Sequence, residues 1–197
     1  MGQRMFTAIH PPSEIVQTLG ELVEPRRGSD EILHFTAERL WHVTLAFMPD
    51  VSTDCEDRID EMLAETAQTI APFDIELAGG GAFPNAAEAK VLYLGIDAGR
   101  DEVIRLQHRA RNAANHAGTR VDSTDPVPHL TVARTGRQAI NATKWLQILD
   151  AFPALRWRVE EISLVASHHG HGPTRHEVLG TYRLTGRDGA DLRRDSR

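Results

Sequence analysis

His42-Val43-Thr44-Leu45-Ala46 and His129-Leu130-Thr131-Val132-Ala133 are one five-residue pattern written twice, 87 residues apart. Residues two apart on a strand share a face. On a strand, His42 and Thr44 therefore project together while Val43 and Leu45 turn into a core, and the second copy does the same with His129 and Thr131. The offset extends outward without a gap. Met5-Phe6-Thr7-Ala8-Ile9 falls on Leu92-Tyr93-Leu94-Gly95-Ile96, and Val16 and Leu19 fall on Val103 and Leu106. Ile59 and Met62 fall on Leu146 and Leu149, Ile75 and Leu77 on Ile162 and Leu164, and Val91-Leu92 on Val178-Leu179. Secondary-structure periodicity can align one such pair. Five segments in one register predict two halves built alike, sharing a cleft about a pseudo-twofold axis.

The elements around the motifs fit that plan. A strand is expected over 4–9, then Pro11-Pro12 and a helix capped by Ser13, with Ile15, Val16, Leu19, Leu22 and Val23 at helical spacing. Further strands are expected over 40–47, 75–77, 91–96, 129–133, 157–167 and 176–184, with Gly79-Gly80-Gly81 as a loop. Helices are expected over 54–70 and 102–116, with a short one capped by Asn141 and ended by Pro153. Strands joined by short loops imply antiparallel pairing. The predicted class is α+β, two pseudo-twofold-related lobes of antiparallel sheet flanked by helices, with a central cleft. Residues 1–185 form a single domain in this reading. The charged stretch 186–197 (GRDGADLRRDSR) forms a disordered tail.

The formal net charge of −6 argues against a protein that coats long nucleic acid, but leaves room for a small cleft that grips one or two phosphates. Cys55 is the only cysteine, so no internal disulfide can form. No apolar run approaches the roughly 18–20 residues of a membrane span. The opening MGQRMFTAIHPP has no apolar signal core, and Phe6 stands where a myristoylation pattern needs Ser or Thr. A cytoplasmic monomer is expected.

Two imidazoles and two hydroxyls around one spot suit phosphodiester cleavage without a metal. A neutral imidazole takes a proton from water, and an imidazolium protonates the departing ribose oxygen. Unperturbed histidine titrates near pH ~6.5, which makes both forms accessible. The threonine hydroxyls donate to non-bridging phosphate oxygens, where charge accumulates in the transition state. A lone His-x-Thr among 10 histidines carries little, because a strand histidine bonded to a backbone carbonyl is commonplace. Two copies in matched register favour function.

WHVTLAF and PHLTVAR resemble the paired signatures of the 2H phosphoesterase superfamily, most closely the bacterial RNA 2',3'-cyclic phosphodiesterase branch, also called 2'-5' RNA ligase or LigT-like. The resemblance runs from residue 4 to about 184 and includes the GAFP segment (Gly81, Ala82, Phe83, Pro84). It implies hydrolysis of an RNA 2',3'-cyclic phosphate end to a 2'-phosphomonoester, ATP-independent 2'-5' ligation in some members, and no cofactor. It makes His42 the proton donor and His129 the acceptor, an assignment that two near-symmetric motifs cannot make themselves. Phe47 and Arg134 hold equivalent positions after the motifs. Phe47 is placed to stack on a base and Arg134 to hold a phosphate, against the plainer readings of a core Phe and a solvated Arg.

Rival readings remain. One is a cyclic phosphodiesterase for a small nucleotide or ADP-ribose cyclic phosphate; another is a non-catalytic nucleotide-binding module. A third is a metalloenzyme built on His168, His169 and His171, with His176 beyond. No spacing here matches a structural zinc site, and a substrate-facing or solvent loop is the preferred account of that stretch, with no metal.

Overall fold

The computed structural model describes residues 2–122, 127–168 and 173–187. Of the tail expected from 186 onward, only Gly186 and Arg187 fall within these ranges. The elements are β1 (Gln3–Ile9), α1 (Ser13–Val23), β2 (Leu33–Phe35), β3 (Val43–Val51), α2 (Thr53–Gln68), β4 (Phe73–Phe83), β5 (Val91–Ile96), α3 (Arg100–His116), β6 (His129–Thr135), α4 (Thr143–Asp150), β7 (Leu155–Val159), β8 (Glu161–His168) and β9 (Arg175–Arg183), with 3-10 turns at Glu24–Arg26 and Glu38–Leu40. This is an α+β architecture in which every strand pairing is antiparallel.

The sheet runs β7-β4-β5-β6-β3-β1-β8-β9. Its middle is thin: β3 and β6 share one registered pair, Val43 opposite Leu130. Beyond that pair the strands part, and β2 takes over the freed edge of β6. Leu33 stands opposite Thr135, His34 opposite Arg134 and Phe35 opposite Ala133. Thr36 N–H then donates to the Val132 carbonyl at 2.8 Å. β2 and β3 thus lie in one line along β6, broken where residues 37–42 swing out. The other half has a counterpart: Asp122 N–H donates to the Phe47 carbonyl on β3 at 3.0 Å.

Alternation along the central strands fixes which face is which. Val43, Leu45, Leu130 and Val132 are buried in a core shared with Ile15, Leu19 and Val23 of α1, Ile59 and Leu63 of α2, and Val103 and Leu106 of α3. Burying each such side chain is worth about 1.5–3 kcal/mol. A one-residue slip would reverse the faces and put the histidines inside, so burial itself enforces the register.

Several expectations need correction. Gly79-Gly80-Gly81 is no loop but part of β4, where Gly79 takes a φ of 77° at a register shift between Ala78 and Gly80. This is a β-bulge on a residue that tolerates left-handed backbone. The strand expected over 157–167 is two strands, β7 and β8, parted at Glu160. The strand expected from 40 starts at Val43, because Glu38–Leu40 is a 3-10 turn. Pro12, not Ser13, is the N-cap of α1. Asn141 does accept the Thr143 N–H at 3.0 Å, at the start of α4. The gapless repeat also breaks locally. Ile9 pairs with Val43, but the partner of Leu130 is Leu94 and not Ile96. The slip is of two residues, so it leaves the faces unchanged.

Candidate active site

On the face away from the helices lies a cleft of ≈790 Å³. All six candidate residues line it: His42 just before β3, Thr44 and Phe47 on β3, and His129, Thr131 and Arg134 on β6. In an antiparallel ladder the residues flanking a registered pair face one another diagonally in sequence. The pair Val43–Leu130 therefore sets His42 beside Thr131 and Thr44 beside His129. The two His–Thr pairs form one floor on adjacent strands.

Both imidazoles are held the same way. His42 Nδ1 lies 2.7 Å from the Leu40 carbonyl, and His129 Nδ1 lies 2.7 Å from the Val127 carbonyl. A carbonyl only accepts, so each Nδ1 carries the proton and each neutral ring keeps its Nε2 lone pair for the cleft. Their electrostatic settings differ. Burial pushes the His42 pKa down to about 3, opposed by the Leu40 bond and assisted by His176, His10 and His129. Burial also lowers His129, opposed by the Val127 bond and assisted by Arg134. The sequence suggested two ordinary histidines, whereas burial favours the neutral form of both.

Rings crowd both imidazoles, and sequence reasoning missed these neighbours. Phe6 stacks on His42 at 4.6 Å between centroids, and His176 meets it edge-on at 5.4 Å. His10 stands 6.2 Å away. Across the floor, Phe83 meets His129 edge-on at 5.0 Å and Tyr93 lies tilted at 5.0 Å, the two stacking on each other at 4.5 Å. Gly81, opposite Tyr93 in register, makes room for this: a Cβ there would run into the Tyr93 ring. A signal did exist, since Phe6 and Tyr93 share the 87-residue offset. His10 and His176 had none, because only tertiary pairing brings them near His42.

Thr44 and Thr131 are half-buried. Arg134 Nη2 stands 3.5 Å from Thr131 Oγ1, leaning over the floor from an exposed position. Phe47 is half-buried against Phe6, Ala8 and Val165, with the Arg4 guanidinium 5.3 Å above its ring. Trp41, which precedes the first motif, is in the core.

Among the described residues no group of three or more His, Cys, Asp or Glu side chains could hold a metal ion. His168 Nε2 is 2.9 Å from the Glu177 carboxylate, and His176 belongs to the cleft. His169 and His171 lie outside the described residues. Among those described, no helix is long and apolar enough to cross a membrane.

Comparison with known proteins bears on the family and the fold. The sequence model of the 2'-5' RNA ligase superfamily matches residues 11–171. An Archaeoglobus fulgidus protein named RNA 2',3'-cyclic phosphodiesterase is 31% identical over 135 residues, 68% of this chain and 74% of that one. A Methanothermobacter thermautotrophicus protein of the same name is 27% identical over 170 residues, 85% of this chain and 91% of that one. Among solved structures, E. coli LigT complexed with 3'-AMP is similar with a TM-score of 0.76 and 25% identity, covering 94% of this chain and 99% of that one.

Proposed function

The chain belongs to the 2'-5' RNA ligase superfamily, and on that premise we propose that it hydrolyses RNA 2',3'-cyclic phosphate ends to 2'-phosphomonoesters by acid–base catalysis between His42 and His129. The observation that carries the reading is the floor: two imidazoles with the same tautomer and opposed hydroxyls, all lining one cleft.

In the proposed reaction His129 Nε2 takes a proton from a water molecule, whose oxygen bonds to phosphorus. The P–O3' bond breaks, and His42 Nε2–H gives its proton to O3'. The P–O2' bond survives, which leaves the 2'-phosphomonoester. Thr44, Thr131 and Arg134 donate to the non-bridging oxygens as charge builds there. His42 must be protonated to serve as acid. The phosphate's own negative charge raises its pKa on binding, and a histidine so strongly depressed beforehand releases its proton readily. A ribose hydroxyl taking the place of water would form a 2'-5' linkage by the same proton transfers. Phe47 is the proposed rest for the terminal base. No step needs a cofactor. Residues 1–185 are read as one domain whose lobes arose by duplication, which the shared offset of β3 and β6 supports.

Incubation with each 2',3'-cyclic mononucleotide and with a short RNA carrying the same end, EDTA present, tests the reading. A 2'-phosphomonoester is expected. A 3'-phosphate product, no product, or complete loss on chelation that zinc or manganese restores would overturn it, the last in favour of the histidine-cluster metal site.

A further inference from the structure

The line of β2 and β3 along β6 breaks between Thr36 and His42, and the break is built with a definite polarity. Its 3-10 turn, Glu38–Leu40, supplies the carbonyl that holds His42. Glu38 turns away from the cleft: its carboxylate would stand 2.8 Å from a Cβ placed on Gly20 of α1. Arg39 turns the other way and lines the cleft. His34 lines it too, exposed, on the β2 residue directly opposite Arg134. No ion pair among the described residues engages Arg39, His34 or Arg134. Three nitrogen donors thus gather at the β2 end of the floor, while the opposite end is ringed by Phe6, Phe47 and Arg4.

The second half offers no such donors at the matching positions. Val121 stands where His34 does at the 87-residue offset, and Asp122 where Phe35 does. Asp122 is tied to the β3 side by its backbone N–H, which donates to the Phe47 carbonyl. Among the described residues, a polyanion crossing this floor meets three nitrogen donors at the β2 end and the Arg4 guanidinium, seated over the Phe47 ring, at the other.

We propose that His34 and Arg39 form a subsite for the phosphodiester immediately upstream of the reacting nucleotide, making the preferred substrate an RNA end of at least two nucleotides. This rests on the hydrolysis reading above. The cyclic phosphate occupies the floor, its nucleoside lies toward Phe47, and the strand continues past Arg134 to the β2 break. A cyclic mononucleotide has no group to place there. Because the contacts are to phosphate, the subsite raises affinity without reading the base.

The test compares kcat/KM for a 2',3'-cyclic mononucleotide with that for a 3'-5' dinucleotide having the same terminal nucleoside and cyclic end. The unmodified protein should prefer the dinucleotide. In a His34→Ala, Arg39→Gln double variant the ratio of the two kcat/KM values should fall about tenfold, the scale of one lost charged hydrogen bond. The ratio cancels any change in the folded fraction or in the His42 support. A ratio that stays at the unmodified value overturns the subsite, whether absolute rates fall or hold, and so does an unmodified protein with no dinucleotide preference. If the unmodified protein turns over neither substrate, the hydrolysis reading fails instead. The subsite is then judged by binding alone: a dinucleotide 2'-monophosphate should outbind the mononucleotide 2'-monophosphate, and the double variant should lose that advantage.

Discussion

His42 lies under Phe6 with two further histidines beside it, whereas His129 lies against Tyr93 and Phe83 with Arg134 leaning over it. The backbone device is the same on both sides, an Nδ1–H given to the carbonyl two residues earlier. Orientation and tautomer are therefore duplicated, while electrostatics are not. Three other imidazoles oppose a proton on His42; near His129 the opposing charge is the arginine. Two near-identical motifs thus sit in unlike electrostatic settings.

The sharpest way to break the comparison is to delete each imidazole. His42→Ala and His129→Ala should each lower turnover by ~10²–10⁴-fold, about 3–5 kcal/mol. The double variant should lose less than the sum, because acid and base act as one unit. Near-normal turnover in either single variant would remove that residue from the chemistry.

Protonation should separate the halves next. A depressed histidine pKa means that the unfolded chain binds the proton more tightly, so stability is intact above pH ~6.5 and declines as pH falls toward the folded value. For His42 that window runs from the ordinary value down to about 3, at about 1.4 kcal/mol for each unit of depression. Melting temperature followed from pH 7 to pH 4 should fall less steeply in His42→Ala than in the unmodified protein. An unchanged slope would mean that His42 titrates normally. Binding of a 2'-phosphate product at pH 7 should also take up a proton. Calorimetry in buffers of different ionisation enthalpy reads this directly, and zero uptake would leave His42 without a source for the proton it donates.

What the chain discloses by itself is what local periodicity can encode. The faces of β3 and β6 follow from alternation, which is why the sequence alone places His42 with Thr44 and His129 with Thr131. β2 could not be read: Leu33-His34-Phe35 is too short for a periodic signal and is a strand only because the edge of β6 needs partners for its N–H and C=O groups. The glycines at 79–81 misled for the opposite reason. Locally they read as a break, but β4 is paired on both sides, to β5 and β7, and two ladders hold a bulge in place. The rings around the imidazoles depend on cross-strand register, including a two-residue slip that no offset in the sequence announces.

The hydroxyls sharpen the comparison on a smaller scale. Thr44→Val and Thr131→Val should each cost roughly 1–3 kcal/mol, the scale of a hydrogen bond to a charged group. The loss should fall on kcat more than on KM if the bond strengthens in the transition state. Because Thr44 stands beside His129 and Thr131 beside His42, each valine should couple more strongly in a double-mutant cycle to the histidine of the other motif than to its own. Unchanged kinetics in both variants would give the hydroxyls a structural part only.

At the cleft ends Phe47 and Arg134 occupy equivalent positions with different chemistry. Phe47→Ala should weaken binding of the terminal nucleotide by ~1–3 kcal/mol if the ring stacks on its base. Because the ring also packs on Phe6, Ala8 and Val165, some fall in melting temperature is expected as well. A fall with binding per folded molecule unchanged would make the ring packing alone. Arg134→Ala should act through charge instead. A chain of net charge −6 that grips RNA through this cleft meets few phosphates, so the salt slope for a short RNA with a 2',3'-cyclic end should correspond to about 1–3 released counterions, at ~0.7 per phosphate for a single strand. Removing Arg134 should subtract about one and weaken all sequences alike, since a phosphate contact carries no base information. Arg4 and Arg39 also line the cleft, so the slope should shrink without vanishing. A slope that Arg134→Ala leaves intact would place its guanidinium in solvent, and a much steeper one would require an RNA path well beyond the cleft.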